Sequence, residues 1–153
     1  MKHTKSRNGF TLIELIIVMV ILGIMAAVAV PRYLDSISNA EESAEDAVIS
    51  AIRSGLKAAA NDSLYTNGRA SWPTNPFDAL SEKPGGYSDD GTGADIDGEW
   101  TFVMNDDNSG QITHQRADNS RFYWDYNSGV QEGDDDGSGD NTTIGNLGER
   151  QDY

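Results

Sequence analysis

From Leu15 to Val30 the chain reads LIIVMVILGIMAAVAV, sixteen residues without a charge or a hydrogen-bonding side chain. As a helix rising 1.5 Å per residue this run covers about 24 Å, short of a hydrocarbon core of roughly 30 Å. Extended back to Phe10 it has 21 residues and an adequate span, interrupted only by Thr11 and Glu14. Beyond Pro31 the pattern changes. Leu34, Ile37, Ala40, Ala44, Val48, Ala51, Ile52, Gly55, Leu56 and Ala59 recur mostly in steps of three and four, and Glu41, Glu42, Glu45, Asp46 and Arg53 take the other positions. That is the apolar stripe of an amphipathic helix. Asn61-Asp62-Ser63 marks its expected terminus. Pro31 lacks an N–H and clashes one turn back, so a bend is expected there. The pattern predicts one helix over residues 10–60, apolar all round in its first half and amphipathic in its second.

From Tyr65 onward the periodicity shortens. Trp72-Pro73-Thr74-Asn75-Pro76-Phe77 reads as a Pro-punctuated loop whose aromatics pack on the helix, and residues 82–98 as turns rich in Gly and Asp. Trp100–Met104 reads as a strand, Asn105–Gly110 as a turn, Gln111–Gln115 as the hairpin partner and Arg121–Tyr126 as a third strand. Trp100, Phe102, Phe122 and Trp124 sit at spacings of two, as core-facing strand residues should. The expected fold is α+β: a long N-terminal helix packed on a small antiparallel sheet. Its parts are residues 10–30, the apolar half-helix; 31–62, the amphipathic half-helix; and 63–153, an acidic head with a meander and an acidic tail.

Charge gives the two pieces a direction. Lys2, Lys5 and Arg7 precede the apolar run with no acid among them, and the chain behind it is strongly acidic. The positive-inside bias keeps the N-terminus in the cytoplasm and sends the bulk of the protein across the membrane. The net charge is −14, from 11 Lys and Arg against 25 Asp and Glu. No nucleic-acid partner is expected of so acidic a surface. There is no cysteine, which excludes a disulfide framework, and His3 and His114 are the only histidines. His114, on an expected strand, reads as a surface or partly buried residue. No nucleophile elbow, Walker loop, HExxH or dinucleotide fingerprint is present, so an enzyme is not expected. A secretory reading has one support: Ala27-Val28-Ala29 is an A-x-A site, and cleavage after Ala29 would release a soluble binding domain. Against it stands Glu14, a carboxylate from which a signal peptide gains nothing.

Gly9-Phe10-Thr11-Leu12-Ile13-Glu14-Leu15, with its short basic leader and apolar sequel, resembles the N-terminus of type IV pilins and type II secretion pseudopilins. The resemblance covers residues 1–60. It implies a leader of residues 1–9, cleavage after Gly9 by a prepilin peptidase and N-methylation of Phe10. It also implies a kink at Pro31 and an assembly role for Glu14 with Phe10. On that view Glu14 pairs with the α-amino group of Phe10 on a neighbouring subunit, and the apolar environment of a filament strengthens the pair and penalises misregister. The residues alone allow another reading, a capping box over Thr11–Glu14 in which the carboxylate serves its own helix terminus. The implied protein is a structural subunit of a type IV pilus-like filament. It is a helical homo-oligomer, drawn from the inner membrane by pilus or type II secretion machinery into an extracellular pilus or a periplasmic pseudopilus. A pseudopilin of a type II secretion system is the alternative.

Asp134, Asp136, Ser138 and Asp140 alternate in a glycine-rich tail and offer oxygen ligands to Ca²⁺. Gly145 stands where an EF-hand needs its last glutamate, so the site would be of another kind. Pseudopilins with a C-terminal calcium site make the tail a calcium candidate by resemblance. The competing reading is a solvated acidic loop, repelled by its own charge. A second partial match at Asn105, Asp107 and Ser109 is better explained as the hairpin turn.

Overall fold

The structure is a computed structural model that describes residues 9–105, 109–129 and 145–153. The chain divides into two units, residues 1–43 and 44–153. Helix α1, Leu12–Asn67, contributes to both.

In the first unit α1 starts at Leu12, and Gly9 and Phe10 precede it as non-helical chain. Pro31 lies inside the helix and does not end it. All side chains from residue 9 to residue 37 are exposed. This stretch makes α1 long and apolar enough to cross a membrane, and none of its apolar window is buried.

The second unit holds the core. On α1 the buried residues are Glu45, Ile49, Ile52, Leu56 and Ala60, spaced by four, three, four and four. The expected stripe is therefore rotated. Ile49, absent from it, is buried, whereas Ala44 and Ala51 are exposed. Glu45, expected on the polar face, is fully buried. The helix also runs about one turn past the expected terminus, because Asn61, Asp62 and Ser63 are tolerated on an exposed face. It ends where Gly68 takes a positive φ of 71° and its N–H bonds to the carbonyl of Leu64.

Three strands form an antiparallel meander: β1 Trp100–Met104, β2 Ser109–Gln115 and β3 Arg121–Asn127. The backbone of Asn105 donates to the carbonyl of Ser109 at 2.8 Å, closing the β1–β2 hairpin as expected. A fourth strand, β4 at Gln151–Asp152, extends the order to β1-β2-β3-β4. It was not expected, since two exposed polar residues carry no alternation. In register, Trp100 faces His114, Phe102 faces Ile112, and Ile112 faces Trp124. These side chains share one sheet face and meet Ile49, Ile52 and Leu56 of α1, with Phe77, Tyr126 and Leu147 completing the core. Phe122, expected in the core, packs only at its margin.

The loop after α1 packs on the helix as its aromatics suggest. Pro76–Ala79 forms a short 3₁₀ turn, capped by the Asn75 side chain on the N–H of Phe77, and Phe77 is fully buried. The turn approaches so closely that a Cβ at Gly55 would lie 2.4 Å from the carbonyl oxygen of Ala79. On the opposite sheet face, Thr101 and Thr113 are buried beneath residues 92–94. Their hydroxyls are 2.7 Å apart, Thr101 donates to the carbonyl of Thr92, and Thr113 accepts the N–H of Ala94.

Candidate functional site

The residues singled out by the sequence lie at the start of α1. Gly9 and Phe10 are exposed, and no atom stands within 4 Å of where a Cβ on Gly9 would be. The Gly9–Phe10 peptide bond therefore lies in open, non-helical chain, the conformation a peptidase cleft can take up. Thr11 is the N-cap of α1. Its backbone N–H and its hydroxyl each donate to Glu14 Oε2 at 2.8 Å, and its hydroxyl accepts the N–H of Glu14 at 3.3 Å. This is a reciprocal capping box, which satisfies N–H groups that a helix start otherwise leaves orphaned. The Thr11 N–H belongs to the Phe10–Thr11 peptide, so the box survives cleavage after Gly9.

A second constellation escaped the sequence reading. Glu45, on the buried stripe of α1, receives Arg116 Nε at Oε1 and Arg116 Nη2 at Oε2, both at 2.6 Å. His114 Nδ1 lies 2.9 Å from Oε1, and Arg150 Nη1 donates to Oε2 at 3.2 Å. His114 is buried rather than superficial, and its ring stacks on Trp100 with centroids 4.1 Å apart. Phe122 floors the cluster, with the Arg116 guanidinium 4.2 Å and that of Arg150 5.3 Å from its ring centroid. Burial pushes the Glu45 carboxyl up. The hydrogen bonds from Arg116 and His114 and their charges outweigh it and lower its pKa from 4.5 to about 2. Glu45 is therefore an ionised anchor at any ordinary pH.

Two signals pointed to it. Glu45 continues the Ile49–Ile52–Leu56 spacing one turn back. From Asp89 to the C-terminus there are 16 acids and only three bases, Arg116, Arg121 and Arg150. Two of those three converge on this one carboxylate.

The calcium candidates Asp134, Asp136, Ser138 and Asp140, and Asp107 of the second partial match, lie outside the described residues. Among the described residues no group of three His, Asp or Glu side chains is arranged to hold a metal ion.

Comparison with known proteins bears on the first constellation. The family model of the prokaryotic N-terminal methylation motif matches residues 4–30. Over 47 residues the chain is 53% identical to the type IV narrow pilus major component of Thermus thermophilus, covering 31% of this chain and 40% of that protein. Over 78 residues it is 44% identical to a type IV major pilin protein of Neisseria gonorrhoeae, covering 51% and 44%. A fimbrial protein of Pseudomonas aeruginosa is 40% identical over 55 residues, 36% of each chain. The chain thus spans less than half the length of these curated relatives. No solved structure matches it. A prepilin-type methylation motif on an exposed apolar helix, followed by an antiparallel sheet, defines a class of α+β proteins with pilin-like architecture. Over its N-terminal part the chain is similar to type IV pilins, and residues 4–30 carry the methylation motif.

Proposed function

We propose that this protein is a structural subunit of a type IV pilus-like filament. The observation that carries the reading is the methylation motif at residues 4–30, set on a helix whose apolar window is uncovered among the described residues. Burying such a surface is worth about 25 cal/mol per Å², so it needs lipid or copies of itself. On this reading the precursor sits in the inner membrane and is cut after Gly9 by a prepilin peptidase. Phe10 is methylated, and assembly machinery draws subunits into a helical stack. Glu14 then serves twice. It caps its own helix through Thr11, and in the filament it meets the α-amino group of a neighbouring Phe10. The exported part is strongly acidic, so filaments should disperse at low salt and bundle when salt or divalent cations screen them.

Intact mass and N-terminal sequencing of the mature protein test the proposal. N-methyl-Phe10 at the N-terminus supports it, whereas an N-terminus at Val30 would mean a secreted soluble domain. The relatives bearing pilus names support a pilus subunit, and a type II secretion pseudopilin is the second reading. Calcium-dependent stability of residues 44–153 would shift the balance to the pseudopilin, with Asp134, Asp136, Ser138 and Asp140 as the ligands. Long surface filaments built of this chain would reject it.

A further inference from the structure

The last nine residues, 145–153, return along β3 through contacts of unequal kind. The N–H of Gly145 donates to the carbonyl of Asn127 at 2.7 Å, that of Gly148 to Asp125 at 2.8 Å and that of Tyr153 to Arg121 at 3.1 Å. The Trp72 indole packs over Gly145, 2.2 Å from where a Cβ would be, and Leu147 enters the core. Arg53 Nη2 donates to the carbonyl of Gly148 at 3.0 Å. Within this segment only Arg150 carries a charge to a fully buried partner, Glu45.

The three basic partners of Glu45 are not equally fixed. His114 and the chain leading to Arg116 belong to β2, whose pairing with β3 extends from Ser109–Asn127 to Gln115–Arg121. Arg116 is also 6% exposed and seated on Phe122. Arg150 has a side chain 30% exposed, on a segment whose strand is only two residues long. If Glu45 loses its charge, the β2–β3 ladder keeps Arg116 and His114 in place, while Arg150, partly exposed beside a two-residue strand, loses its buried counter-charge. Of the segment's acids, Glu149 pairs with Arg53 at 3.7 Å.

We propose that Glu45 is a charge latch for the C-terminal segment: its carboxylate holds residues 145–153 against β3 and α1 through Arg150, and neutralising it releases that segment while β1–β3 stay folded. Residues 145–153 are then the first part of the second unit to open.

Amide hydrogen exchange on the full chain in detergent micelles at pH 7 tests this, with Glu45→Gln against the unaltered protein. The amides of Gly145, Gly148 and Tyr153 should be accelerated at least about tenfold more than the β2–β3 ladder amides, which report only the loss of global stability. Equal acceleration of both sets, or of neither, would overturn the latch. Arg150→Gln removes the segment's own positive charge and should reproduce the selective release. If Glu45→Gln unfolds the whole unit, the Arg150→Gln comparison decides alone, and unaltered exchange at 145–153 in that variant refutes the proposal.

Discussion

Two glutamates on one helix mark the contrast between the two units. Glu14, in the first, finds its partners three residues away, and the helix around it exposes every apolar side chain. Glu45, in the second, finds its partners 69, 71 and 105 residues away and is fully buried among them. The first region is complete as secondary structure, and among the described residues nothing covers its apolar window. The second is closed on itself. A carboxylate can therefore be a local cap, available to a partner, or the charged centre of a finished core. Which of the two it becomes depends on what surrounds its helix face.

The sharpest way to break the comparison is Glu14→Ala. On the proposed function it should leave the protein cleaved, methylated and membrane-bound but nearly abolish filament yield. Thermal unfolding of residues 44–153 should not change. Normal filament yield, scored by shearing and electron microscopy, would reduce Glu14 to its capping role. Glu45→Ala should do the reverse: processing proceeds, while the second unit loses about 3–5 kcal/mol, because Arg116 and His114 are left buried beside an empty acceptor. Denaturant unfolding measures that loss.

Acid should reach the same centre without mutation. Unfolded Glu45 titrates near 4.5 and folded Glu45 near about 2, so the ionised form favours the fold. The stabilisation, about 3 kcal/mol, is fully present above the unfolded value and drains away as pH falls from 4.5 toward 2. Glu45→Gln should flatten this part of the stability–pH curve. Smaller still, Ile52→Val removes one methylene from a fully buried contact and should cost about 1 kcal/mol in the same unfolding measurement. Glu149→Ala should be silent in it, since that carboxylate is 95% exposed and its pair with Arg53 is long.

Much of this was legible in the residues because it is local. Thr11 and Glu14 at N-cap spacing specify a capping box by themselves, and the box is present. The strand at Trp100–Met104 follows from alternation and ends at the expected residues. The helix stripe was legible only approximately. Alanine at 44 and 51 is apolar enough to count toward either face, so periodicity alone cannot choose between a stripe through Val48 and one through Ile49. Glu45 was misread for the same reason: a period argument places every acid on the outside, and only a distant cation makes the inside tolerable.

The amino-acid sequence by itself determined the long helix, its uncovered apolar half, the N-terminal methylation motif and the three-strand meander. Each of these rests on hydrogen bonds or periodicities spanning a few residues. Only the tertiary structure decided that Glu45 is buried, that Arg116, His114 and Arg150 converge on it, and that the last residues add a fourth strand. Those outcomes depend on side chains brought together across as many as 105 residues of chain. At such separations the free energy of one pairing depends on all the packing that permits it.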